Sequence, residues 1–161
     1  MKYHEVTKKI KEMLEEKGLW FETFEHEAVR TSEEAAKTRT GYTLKQGAKA
    51  LIVRVKTAEG KFFVMLVLPG DKRFDTDKVK QLFNAKDIRF ATEEEVKQIT
   101  DGIKPGGVPP FGSLFGLKVY VDQSLGNNEK IVFNAGDQRF SIAMKVKDYL
   151  NLSNAEITKF I

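Results

Sequence analysis

The chain has 161 residues, 41% of them hydrophobic and 31% charged, with a formal net charge of +4 and no cysteine. That is enough for one domain, spanning 1–161, with a substantial core, and it excludes disulfides, thiolate chemistry and cysteine zinc sites. No apolar run approaches the roughly 20 residues of a membrane span and no secretory pattern opens the chain, so a cytoplasmic protein without membrane contact is the expectation.

The positive balance is mild. It permits attraction to a phosphate backbone without requiring it, because the lysines are spread along the chain and no block of like charge appears. In chain order, Tyr3, Val6, Ile10, Met13 and Leu14 recur at helical spacing. Residues 2–17 therefore read as an amphipathic helix, with His4 on its solvent side and Gly18 as its stop. Trp20 to Phe24 reads as a short strand. Thr31 and Glu34 offer a capping box that opens a second helix through Ala35 and Ala36.

Residues 47–57 and 61–69 read as two strands joined by a turn at Glu59-Gly60. The second, Phe62 to Leu68, is apolar on both faces, which predicts a central strand covered on both sides. Asp75 to Phe83 reads as a helix and Ile88 to Phe90 as a strand. Thr92 and Glu95 form a further capping box, for a helix ending near Gly102. Strands follow at Lys118–Asp122, Lys130–Asn134 and Phe140–Ala143. A turn at Ala135-Gly136-Asp137 separates the last two. Ser153 and Glu156 predict a last short helix. The fold class is α/β of the α+β type: a mixed, mostly antiparallel central sheet packed by helices.

Three features could carry chemistry. Gly106-Gly107-Val108-Pro109-Pro110-Phe111-Gly112 holds three glycines and two prolines in seven residues. Glycine lets another molecule approach the main chain closely, and proline fixes φ while removing an amide donor. The result is a stiff loop with a few N–H groups at set positions. Lys49 is the second feature. Period-2 alternation puts it in phase with Leu51, Val53 and Val55, either snorkelling to solvent or standing as a cation for a phosphate or carboxylate. The third is Asn134-Ala135-Gly136-Asp137, an ordinary turn or a set of polar groups at a sheet end, where pockets form. His26 reads as a structural residue holding its loop, and Asp71 and Asp75 as turn and cap chemistry. No metal-ligand spacing and no nucleophile elbow is present.

Gly47-Ala48-Lys49-Ala50-Leu51, Leu68-Pro69-Gly70-Asp71-Lys72-Arg73-Phe74-Asp75, Pro105 to Gly112 and Phe133-Asn134-Ala135-Gly136 occur in that order. So does an opening segment, His26 to Thr31 followed by Glu33-Glu34-Ala35-Ala36. This series resembles the YbaK family, free-standing relatives of the bacterial prolyl-tRNA synthetase editing domain, over about residues 20–150. The resemblance implies a trans-acting deacylase that hydrolyses the ester of mischarged tRNA, such as tRNA for proline carrying Cys or Ala, with no cofactor. It also implies the roles. Lys49 would hold the terminal phosphate or ribose. Gly106 and Pro110 would mark the family's catalytic Gly-x-x-x-Pro element, with Gly107 and Val108 between them as the amide donors to the oxyanion. Thr31, Pro110, Asn134, Gly136 and Asp137 would surround the amino acid. The partners would be the 3′ acceptor end of aminoacyl-tRNA and, as a further expectation, prolyl-tRNA synthetase. Two positions depart from the family pattern: Ala50 follows Lys49 where relatives tend to carry a polar residue, and no histidine follows Asn134. The alternative reading is a non-catalytic module that binds aminoacyl-adenosine or tRNA and regulates a synthetase. A third is a structural protein that docks through its first helix.

Overall fold

The computed structural model describes residues 2–28 and 41–161. The capping box expected at Thr31–Glu34, and the helix after it, lie outside those residues. Helix α1 (Glu5–Glu16) buries Val6, Ile10 and Leu14 along one stripe, as a 3.6-residue period requires. It starts later than the sequence suggests, because His4 is its N-cap: Nδ1 accepts from the Val6 amide at 3.1 Å. Nδ1 is thereby an acceptor, so Nε2 carries the hydrogen and donates to Asp101 O at 2.9 Å. His4 is half-buried cap chemistry and not a solvent-side helix residue.

Strand β1 (Phe21–Glu25) is followed by the hairpin β2 (Ala48–Thr57) and β3 (Gly60–Pro69), in register from Ala48–Pro69 to Thr57–Gly60. Helix α2 (Thr76–Phe83) is capped by Asp75, whose Oδ1 accepts from Asp77 N and Lys78 N. Strand β4 (Asp87–Phe90) leads into helix α3 (Glu93–Thr100), opened by the expected Thr92–Glu95 capping box and followed by Asp101 and Gly102, both at positive φ. Then come β5 (Val119–Asp122), β6 (Lys130–Asp137), β7 (Phe140–Lys145), α4 (Val146–Ser153) and β8 (Glu156–Thr158).

The strands form two sheets where one central sheet was expected. One has the order β1-β7-β6 and is antiparallel; the other has the order β4-β2-β3-β5-β8, with β5 parallel to both β3 and β8. An isolated parallel bridge between Gly47 and Val132 links them. β3 is covered on both faces, as its unbroken apolar run predicts. Met65 and Val67 join a core shared with α1 and the three-stranded sheet. Val64, Leu66 and Leu68 face a second core with Val79 of α2 and Phe160.

Two further expectations are corrected. Ser153 does not open a helix; it closes α4, with Asn154 at φ 51° as the left-handed stop, and Glu156 starts β8 beside β5. The spacing of Val146, Tyr149 and Ser153, all buried, marks the true helix. Ala135-Gly136-Asp137 is not a turn either. β6 runs on through Asp137 with a bulge between Asn134 and Asp137, and the turn falls at Gln138-Arg139. Gly136, at φ +99°, supplies the backbone geometry that a bulge of this kind needs.

Candidate active site around the Gly106–Pro110 loop

The loop leaves α3 and turns once as Pro105–Gly107 before entering the core. It is fixed at two carbonyls. The Gly106 oxygen accepts from Asn134 Nδ2 at 2.7 Å, and the Pro110 oxygen accepts from the buried Tyr149 hydroxyl at 2.7 Å. Burial pushes that phenol well above its ordinary range, so it stays a donor. Its ring and that of Phe133 both meet Phe111 edge-on, at 5.3 and 5.5 Å. A side chain at Gly106 would run into Gln138. A Cβ at Gly107 would lie 3.3 Å from the Asp137 backbone. At Gly107 the loop therefore lies against the backbone of β6, and at Gly106 against the movable end of the Gln138 side chain.

The two amides singled out in the sequence are not equally available. Gly107 N–H donates to Lys104 O at 2.8 Å inside the turn, while Val108 N–H donates to Pro105 O over a long 3.4 Å. Gly106 N–H has no acceptor among the described residues. Pro109 and Pro110 have no N–H at all.

Lys49 lies one residue into β2, opposite Leu68 of β3. The Gly47–Val132 bridge is parallel, so two residues on from it along each segment stand Lys49 and Asn134. Gly70 N–H donates to Gly47 O at 2.7 Å, which brings the Asp71-Lys72-Arg73 turn to the same end. Lys49 is half-buried. Burial pushes its ammonium below the ordinary lysine range, the nearby Arg73 adds to that, and Asp71 opposes it. A partly desolvated ammonium beside a second cation is stabilised by an incoming anion.

Asp137 faces Arg139, which donates to it from N (2.9 Å), Nε (2.8 Å) and Nη2 (2.7 Å). These bonds outweigh burial and hold its carboxyl below the usual range. A cavity of about 490 Å³ opens beside the loop, with Gly107, Gly136, Asp137, Lys104, Arg139 and His4 among its walls. Lys49, Gly106, Val108, Pro110 and Asn134 do not line it. The fold thus joins Gly106, Asn134 and Pro110 into one fixed unit and sets Gly107, Gly136 and Asp137 around the cavity. Lys49 stands at the neighbouring strand start, and Thr31 lies outside the described residues. Among the described residues, no cluster of three or more His, Asp or Glu could hold a metal ion. Among the described residues, no helix is long and apolar enough to cross a membrane.

Sequence reasoning missed two supports of the site. Tyr149 was hidden because the helix that carries it was assigned too late in the chain. Ser141 bonds both His26 and Asn134; its signal is a lone hydroxyl in the apolar run Phe140-Ser141-Ile142-Ala143-Met144.

The model of the aminoacyl-tRNA editing domain family matches residues 26–152, and the chain belongs to that family. It is 32% identical to the multifunctional Ser/Thr-tRNA deacylase ProXp-y of Escherichia coli over 149 residues, 92% of this chain and 88% of the relative. It is also 35% identical to the proline–tRNA ligase of a Sulfurihydrogenibium species over 92 residues, 57% of this chain but 15% of that enzyme. A crystal structure described as a candidate trans-editing enzyme for prolyl tRNA synthetase superposes with a TM-score of 0.80 at 27% identity, covering 99% of this chain and 98% of the other. Family and fold make the chain an aminoacyl-tRNA deacylase, a hydrolase of the ester between amino acid and tRNA.

Proposed function

We propose that the chain acts in trans on mischarged tRNA, removing a small wrong amino acid, with tRNA for proline as the acceptor. The observation that carries this reading is the loop pinned at Gly106 O and Pro110 O, with Lys49 at the adjoining strand start. Preorganised amides act on a developing oxyanion without reorganising during the reaction. Gly106 N–H and Val108 N–H are the donors that best fit this role, since Gly107 N–H is engaged within the turn. Lys49 holds the phosphate or ribose of the terminal adenosine as a point charge. Asn134, Gly136 and Asp137 border the amino acid together with Thr31 and Pro110.

In the reaction a water oxygen bonds to the ester carbonyl carbon, and negative charge moves onto the carbonyl oxygen, facing the loop amides. The carbon–oxygen bond to the ribose then breaks and the ribose oxygen takes up a proton. The neighbouring ribose hydroxyl helps relay protons, so no side-chain nucleophile is required. The enzyme contributes orientation and electrostatics. Editing of this kind is needed because one methylene in an apolar pocket is worth only about 1–3 kcal/mol of discrimination.

A panel of mischarged tRNAs tests the reading. The name of the E. coli relative puts serine and threonine first in the panel, beside alanine and cysteine on tRNA for proline. Release of at least one of these amino acids by the purified chain is expected. Tight binding of a nonhydrolysable aminoacyl-adenosine with no release across the panel would instead support a binding module. Lys49→Ala should raise KM for aminoacyl-tRNA by at least about tenfold, the loss of one charge-assisted contact, with the unfolding midpoint unchanged. An unaltered KM would remove Lys49 from the site. Co-purification or a titration with prolyl-tRNA synthetase tests the expected partner separately.

A further inference from the structure

Ser141 is fully buried among apolar neighbours of β7. A hydroxyl in such a place is costly unless bonded. Its Oγ lies 2.8 Å from His26 Nε2 and donates to Asn134 Oδ1 at 3.0 Å. His26 Nδ1 stands 2.8 Å from Glu27 O. A hydroxyl has one hydrogen to give; with it on Asn134 Oδ1, His26 Nε2 is the donor to Ser141 Oγ. The His26 amide donates to Arg139 O at 2.9 Å, tying the end of β1 to the β6–β7 turn. From Asn134 the line continues through Nδ2 to Gly106 O. Residues 26, 134 and 141, from three different strands or strand ends, thus form one chain of hydrogen bonds that ends on the loop.

The end point matters because of what it fixes. Gly106 O and Gly107 N–H belong to one planar peptide unit. Asn134 holds its oxygen and Lys104 O holds its N–H. A peptide between two glycines has no side chain to resist a flip; here it is held from both sides. The direction of the Gly106–Gly107 peptide in turn sets the course of the chain that carries the Gly106 and Val108 amides. A hydroxyl donated to Asn134 Oδ1 also decides which end of that amide faces the loop, since it leaves Nδ2 for Gly106 O.

We propose that Ser141, seated by His26, is a positioning residue for deacylation: it orients the Asn134 amide, which locks the Gly106–Gly107 peptide in its working direction. This rests on the deacylase reading above and deepens it. Neither side chain touches the reacting atoms.

The test compares Ser141→Ala, Asn134→Ala and the double variant in single-turnover deacylation, with folding checked by thermal melts. Ser141→Ala should lower kcat by about tenfold to a hundredfold, the scale of a misplaced catalytic group, with KM changed less than about twofold. The double variant should be no slower than Asn134→Ala, because both changes break one line. His26→Ala, at a half-buried ring, should shift kcat the same way, and it stands in if Ser141→Ala does not fold. A separate readout needs no activity: amide hydrogen exchange at Gly107, followed by NMR, should speed up at least about tenfold in Ser141→Ala. Wild-type kcat in Ser141→Ala, additive losses in the double variant, or unchanged exchange at Gly107 would each overturn the proposal. An inactive wild-type chain would overturn the deacylase reading alone, and exchange at Gly107 would still decide whether the line of bonds locks the loop.

Discussion

Glu95 shows how much one side chain settles. It accepts from the Thr92 amide at 2.8 Å as half of the capping box and holds Arg89 through both carboxylate oxygens, at 2.8 and 3.1 Å. The Arg89 guanidinium, then the Thr92 amide, hold its carboxyl at about 2, below an ordinary 4.5. A depressed pKa contributes stability above the ordinary value and loses it as pH falls toward the folded one. Glu95→Gln should therefore flatten the acid limb of stability between about pH 4.5 and 2, read from urea midpoints across that range. Gly136 makes a different demand. At φ +99°, a Cβ there would lie 2.7 Å from Val6 Cγ2 and 2.9 Å from Thr7 Oγ1. Gly136→Ala should cost about 3 kcal/mol, combining left-handed strain with overpacking, measured by denaturant unfolding. The capping box was legible from local spacing alone. The packing role of Gly136 was not, because α1 is more than a hundred residues away in the chain.

Among elements, α4 has the largest consequence for the site, since Tyr149 reaches from it to the Pro110 carbonyl. Tyr149→Phe keeps the ring and removes the hydroxyl, leaving a buried carbonyl without its donor. A loss of about 1–3 kcal/mol is expected, seen as a lower urea midpoint, together with slower deacylation as the far end of the loop loosens. The sequence placed the last helix too late because Ser153 and Glu156 happen to fit the capping spacing. The burial of Val146, Tyr149 and Ser153 outweighs that local pattern. The β2–β3 hairpin behaved otherwise. Its apolar runs were plain in the sequence, because both cores are built on its two faces; the turn falls one residue earlier than expected, at Ala58-Glu59, with Gly60 already paired to Thr57 in β3.

At the scale of the molecule, two sheets meet at the Gly47–Val132 bridge, and the proposed site lies just beyond it. The net charge of +4 adds a diffuse attraction for tRNA to the local cation at Lys49. KM for aminoacyl-tRNA should accordingly rise with salt, with a log–log slope of roughly 0.7–0.9 per phosphate contacted. KM for an uncharged-backbone substrate, aminoacyl-adenosine, should stay nearly flat. Equal salt dependence for the two would argue against phosphate contacts.

By itself the sequence determined the mixed α/β class, the double-sided β3, the two helices capped by Asp75 and Thr92 and the family, because each rests on local periodicity or on motifs contiguous in the chain. The partners of the loop were decided only in three dimensions. Asn134 and Tyr149 reach Gly106 and Pro110 across 28 and 39 residues, and His26 reaches Ser141 across 115. A hydrogen bond depends on where two groups stand, and no local pattern of residue types records that.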